Sequence, residues 1–60
     1  MRILITGANG YLGKRLVRTY QEKYEVFAAT HENMDFTDED KIKEVFADFG
    51  PETVIHCGAV

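Results

Sequence analysis

The chain is short of most features that would point to a partner outside itself. It has one cysteine, Cys57, so no internal disulfide can form. A lone thiol fits a reducing, cytoplasmic setting, and at the end of a strand it reads as a small packed residue. A nucleophile would need a base and an activating environment, which the sequence does not supply. No apolar run is long enough to span a bilayer. The apolar stretch from Arg2 to Ile5 is too short for a signal peptide, and Gly7 interrupts it. Basic charge is scarce: seven Lys and Arg against ten Asp and Glu leave a net charge of -3, so nothing resembles the cationic footprint of a nucleic-acid binder. Repeats, linkers and low-complexity segments are absent. Sixty residues make one small unit, which buries only about 60% of its unfolded surface.

What the chain does have is concentrated near its start. Ile3, Leu4 and Ile5 are consecutive apolar residues, as in a strand covered on both faces. The run reaches Thr6 and then meets glycines at positions 7, 10 and 13. A helical pattern begins after Gly10. A strand, a glycine turn and a helix N-terminus in that order form a phosphate-binding corner. Gly7 allows the sharp turn, Gly10 leaves room for a pyrophosphate at the backbone, and Gly13 lets the helix pack close on the strand. Free N–H groups near Tyr11 and Leu12, together with the helix dipole, would face the anion.

The rest of the chain alternates helices and strands. Strand one is Arg2 to Thr6. A helix from Tyr11 to Lys23 carries Leu12, Leu16, Val17 and Tyr20 on one stripe beside Gly13. Lys14 and Arg15 lie off that stripe and read as a solvated face. Strand two is Glu25 to Ala29. The chain has Thr30 and His31 at the corner after it, where dinucleotide folds usually place an acid for the ribose 2′-OH. Thr30 would not repel a 2′-phosphate and His31 could pair with one, so the reading is NADP. Glu32, slightly later, keeps NAD as the alternative. After a loop from Glu32 to Phe36, Thr37 reads as the N-cap of a second helix, with Asp40 in the capping-box position. Asp38, Glu39 and Asp40 suit the positive end of that helix better than they suit a metal. Ile42, Val45, Phe46 and Phe49 form its apolar stripe. Gly50 and Pro51 then stop it. Strand three is Thr53 to Cys57, with Gly58 and Ala59 after it. His56 reads as packed or capping, since no partner for it is apparent.

This β-α-β-α-β pattern predicts an α/β fold with a parallel three-stranded sheet in the order 3-2-1. In that order both right-handed crossovers move the same way, so both helices would cover one face and strand one would be an open edge. The expectation is therefore that residues 1–60 are the N-terminal segment of an NAD(P)-binding domain. The remainder of that domain, or a second chain, would cover the open face.

Thr6-Gly-x-x-Gly-x-x-Gly13 resembles the extended short-chain dehydrogenase/reductase family. Met34-Asp35-Phe36-Thr37-Asp38 and Gly50-Pro51-Glu52-Thr53-Val54-Ile55-His56-Cys57-Gly58-Ala59 look like its dTDP-4-dehydrorhamnose reductase branch. Gly58 stands where alanine is usual, and Glu52 replaces a common aspartate. The resemblance implies a Rossmann-like half domain that binds a dinucleotide. By position, it implies that Gly7, Gly10, Tyr11 and Leu12 hold the pyrophosphate through backbone groups, with Asn9 and Gly13 counted among the cofactor-binding residues of the same motif. Asp35 would accept from the adenine amino group with Phe36 beside the ring, and Cys57, Gly58 and Ala59 would line the ribose. The family's catalysis uses a Tyr-x-x-x-Lys pair, and none occurs here: Tyr11, Tyr20 and Tyr24 are followed four positions on by Arg15, Tyr24 and Ala28. The reading is the cofactor-binding segment of a nucleotide-sugar reductase. The alternatives are a non-catalytic regulator resembling the β subunit of methionine adenosyltransferase, or another extended-family epimerase or dehydratase.

Overall fold

The computed structural model describes residues 1–57 of the chain. Gly58 and Ala59, expected at the ribose, lie outside the described residues. The elements follow in the order β1 (Arg2–Thr6), α1 (Tyr11–Tyr20), β2 (Glu25–Ala29), α2 (Glu39–Phe49) and β3 (Thr53–His56). They form one parallel sheet of Rossmann-like architecture. Each expected element is present. α1 ends at Tyr20, three residues earlier than its pattern suggests, and residues 21–23 are turns.

The strand order differs from expectation. It is β2-β1-β3, not 3-2-1. The cause is visible in β1, where Ile3, Leu4, Ile5 and Thr6 are all buried. An edge strand leaves one side open, and so apolar a strand belongs in the centre. β3 is mostly exposed and takes an edge instead, with Val54 47% exposed.

This order also corrects the placement of the helices. The first crossover runs from β1 out to β2. The second returns over β1 to β3, in the opposite direction. Right-handed crossovers that move in opposite directions put their helices on opposite faces. Burial agrees with this. Leu4, Ala29, Met34 and Val45 form one cluster, joined by Phe27, Ile42 and Phe49, so α2 covers the face that carries Leu4 and its register partner Phe27. The Phe27 and Phe49 rings meet at 5.5 Å and 55°. Ile3 and Ile5 point the other way, toward α1, and are 2% and 0% exposed. Full burial of Leu4 and of Ile5 stabilises the fold by about 1.5–3 kcal/mol each. Neither face is bare, as 3-2-1 would require. What the described residues leave unpaired is the outer edges of β2 and β3.

The helix stripes are also redistributed. Val45 is buried, whereas Phe46 is 39% and Leu12 58% exposed. α2 ends as expected on Gly50, at φ 63° and ψ 58°, with its N–H on the Phe46 carbonyl at 2.9 Å. Its N-cap is Asp38, not Thr37: the Asp38 carboxylate accepts from the Lys41 N–H at 3.1 Å. Thr37 is taken by Asp35, as described below. At the amino ends of the strands, Arg2 Nε donates to Glu25 at 2.9 Å and Arg2 Nη1 to the Phe49 carbonyl at 3.2 Å. An open polar concavity of about 510 Å³ lies there, lined by Met1, Arg2, Tyr24, Glu25 and Glu52. It is at the opposite end of the sheet from the glycine turn.

Candidate functional site at the carboxyl ends of the strands

β1 is the point where the sheet order reverses, and open α/β sheets bind ligands at the strand carboxyl ends beside such a point. The glycine turn stands there. Gly7 has φ 63°, a conformation that favours glycine. The Ala8 N–H donates to the Ala29 carbonyl at 3.1 Å, tying the turn to the end of β2. The Gly10 N–H donates back to the Gly7 carbonyl at 3.0 Å. A Cβ on Gly13 would stand 2.1 Å from the Gly7 oxygen, so only glycine lets α1 approach the turn this closely. A Cβ on Gly10 would come to 3.3 Å from the same oxygen, with no other close neighbour.

α1 begins with no side-chain cap and no acid in its first turn. Lys14 is the first residue whose N–H finds a helical carbonyl, that of Gly10 at 2.9 Å. The N–H groups of Tyr11, Leu12 and Gly13 have no such partner. Tyr11 is 80% exposed. The Arg15 guanidinium sits 5.9 Å from the Tyr11 ring centroid, on its own helix.

The corner after β2 is built by a residue that the sequence reading passed over. Asn33 accepts from the Thr30 N–H at 2.7 Å, gives its own N–H to Thr30 Oγ1 at 3.3 Å, and donates Nδ2–H to the Ala28 carbonyl at 2.9 Å. Thr30 is thus fixed with its hydroxyl hydrogen still available to donate. The His31 side chain is 82% exposed and lies 3.9 Å from the Asp35 carboxylate.

Asp35 is held from one side. Its Oδ1 accepts the Thr37 N–H at 2.9 Å and the Thr37 hydroxyl at 2.7 Å. These two bonds, the backbone one first, keep its carboxyl below the ordinary carboxylate value. Slight desolvation opposes them and the neighbouring His31 assists. Both bonds fall on Oδ1, so Oδ2 remains as an acceptor. Phe36 follows, 52% exposed, its ring 5.8 Å from the His56 ring at 55°. His56 lies opposite Thr6 in the parallel register, and their side chains meet at 2.7 Å between Oγ1 and Nδ1. The Cys57 N–H donates to Thr6 Oγ1 and to the Thr6 carbonyl, each at 3.2 Å. His56 therefore has the partner that the sequence did not reveal. With β3 expected two strands away from β1, Thr6 could not be foreseen as its neighbour. Cys57 itself is half-buried.

The arrangement is that of a Rossmann-like half: a glycine turn, an uncapped helix N-terminus and an acidic-aromatic loop grouped at the switch point. The RmlD substrate-binding domain matches across residues 1–60, and the chain belongs to that family. The chain is 38% identical over 63 residues to GDP-6-deoxy-D-talose 4-dehydrogenase of Aggregatibacter actinomycetemcomitans, a match that covers all of this chain and 21% of that protein. It is 33% identical over 66 residues to methionine adenosyltransferase 2 subunit beta of Xenopus laevis, covering 97% of this chain and 20% of that protein. The crystal structure of dTDP-4-dehydrorhamnose reductase from Bacillus anthracis str. Ames in complex with NADP superposes with a TM-score of 0.87 at 35% identity, over 98% of this chain and 21% of that one. The chain thus spans about a fifth of the length of these relatives.

Proposed function

We propose that this chain is the dinucleotide-binding segment of a sugar-nucleotide reductase, and that NADP, with NAD as the alternative, seats on the glycine turn. The observation that carries this reading is the α1 N-terminus: a glycine turn at the switch point, no side-chain cap, no acid in the first turn, and backbone N–H groups without partners. The relatives support the reaction class, since those named as a 4-dehydrogenase and a reductase act on deoxysugar nucleotides, and the B. anthracis structure holds NADP.

In this reading the Tyr11, Leu12 and Gly13 N–H groups meet the pyrophosphate, and Gly10 leaves room for it, with Asn9 on the rim of the turn. Asp35 Oδ2 accepts from the adenine amino group, and Phe36 flanks the ring. The Thr30 hydroxyl and His31 meet the 2′-phosphate, and Cys57 borders the ribose. The bound cofactor supplies the hydride. These residues bind and orient it, and the sequence holds no Tyr-x-x-x-Lys to donate the proton.

A titration of NADPH and NADH into the chain, read by nicotinamide fluorescence, tests the site. Saturable binding by either supports it, and tighter NADPH binding supports the Thr30–His31 assignment. Tighter NADH binding overturns that assignment, and no binding by either overturns the site. A second reading, a regulatory protein that keeps this nucleotide fold, has the match to methionine adenosyltransferase 2 subunit beta in its favour. NADPH oxidation by the full-length protein on a keto-deoxysugar nucleotide separates the two, because only the reductase turns over.

A further inference from the structure

The Thr6–His56 pair has no part in the roles assigned above, yet it stands at the centre of the site. Parallel register places Thr6 and His56 side by side on the face that α2 covers, as Leu4 and Val54 are two pairs earlier. The loop that carries Met34, Asp35 and Phe36 belongs to the same face, because Met34 is buried in the Leu4–Val45 cluster. Thr6 is 3% exposed, so its hydroxyl needs partners within the protein. It accepts from the Cys57 N–H. The same hydroxyl lies 2.7 Å from His56 Nδ1, an acceptor that its hydrogen can reach, and donation there corresponds to the tautomer with the ring proton on Nε2. One bond thus fixes the plane of the ring, and on that ring Phe36 rests at 5.8 Å.

We propose that His56 is a positioning residue of the dinucleotide site: anchored by the Thr6 hydroxyl, its ring holds Phe36 in place and so sets the adenine side of the site. The proposal rests on the site reading given above. It separates two properties of one side chain. The acceptor at Nδ1 serves the join between β1 and β3. The aromatic face serves Phe36.

Two substitutions divide these properties. His56→Asn keeps an acceptor at the δ1 position and removes the ring. His56→Phe keeps a ring and removes the acceptor, leaving the Thr6 hydroxyl hydrogen unpartnered. The ligands are ADP, which carries adenine, and inorganic pyrophosphate, which reaches only the glycine turn. Affinities are followed by amide NMR shifts and stability by the thermal midpoint. The expected pattern is crossed. His56→Asn melts near the unsubstituted chain and binds ADP about tenfold more weakly, the scale of one lost base–aromatic arrangement. Its pyrophosphate affinity is unchanged. His56→Phe binds ADP close to normally but melts at a lower temperature. Equal losses for ADP and pyrophosphate would mean general loosening and would overturn the proposal. So would an ADP affinity unaltered in His56→Asn while the unsubstituted chain binds both ligands. An unsubstituted chain that binds neither ligand overturns the site reading, and this proposal with it.

Discussion

The two helices of this chain begin in opposite ways. α2 opens on Asp38, whose carboxylate caps the Lys41 N–H, and continues with Glu39 and Asp40. Its first-turn N–H groups and positive dipole end are answered from within the chain. α1 opens on Gly10, with neither a side-chain cap nor an acid. Both helices pack on the same sheet, so position in the fold does not explain the difference. A helix start that is only structural is most stable when capped. The α1 start leaves that stabilisation, about 1 kcal/mol, unused, and it does so at the switch point where an anion would supply the missing charge.

Substitutions should bring out this contrast. The largest effect is expected at Gly13. Gly13→Val places a Cβ into the Gly7 carbonyl and must push α1 off the turn. The expected loss is about 3 kcal/mol or more, the upper range of overpacking, read as a lower urea midpoint. Gly10→Ala is the control, since its Cβ meets the same oxygen at 3.3 Å and little else. It should leave the midpoint nearly unchanged while weakening NADPH binding. At the other helix, Asp38→Ala removes a cap and nothing of the proposed site. It should cost about 1 kcal/mol of stability and leave NADPH affinity as it was. The sharpest test adds an acid to the start that has none. Tyr11 is exposed, and Tyr11→Glu puts a negative charge at the positive end of α1. Stability should rise by about 0.3–1 kcal/mol at low salt, while NADPH binding weakens through repulsion of the pyrophosphate. A rise in both would show that the α1 start does not receive an anion.

Much of this was legible in the sequence, for local reasons. The element types followed from apolar periodicity, and the turn at Gly7, the approach at Gly13 and the stop at Gly50 followed from glycine's particular freedom. The strand order was not legible, because the crossover direction of α2 is not written in α2's own residues. It shows only in the burial of β1, and that requires comparison with the half-exposed β3. A second feature depends on that order. Thr6 and His56 are 50 residues apart, and only the order β2-β1-β3 makes them neighbours. The cap of α2 falls one residue later than expected for a local reason: Thr37 is a good cap, but its hydroxyl donates to Asp35 two positions earlier, which holds its Oγ1 against that carboxylate, and Asp38 accepts the first-turn N–H instead. The role of Asn33 at the β2 corner was missed because side chains that build a loop leave no periodic signal.

The smallest expected effect concerns that same Asp35–Thr37 pair, and it extends the contrast from helices to carboxylates. Asp38 is committed to its helix. Asp35 is bonded through Oδ1 alone and is held ionised by Thr37. A carboxyl whose folded pKa is depressed adds stability above its unfolded value, near 3.9, and loses it as pH falls through the lower folded value. The loop that carries Asp35 and Phe36 should therefore keep its geometry from neutral pH down to the ordinary carboxylate range and loosen only below it. Thr37→Val removes the hydroxyl donor and leaves the N–H, so the Asp35 carboxyl titration should move up toward the ordinary value without reaching it. Carbon-13 NMR of the side-chain carboxyl reads both midpoints directly. A Thr37→Val midpoint no higher than that of the unsubstituted chain would mean that the hydroxyl contributes nothing. The ionised state of Asp35 would then rest on the Thr37 backbone N–H with His31, and the loop's own turn would be its sole support.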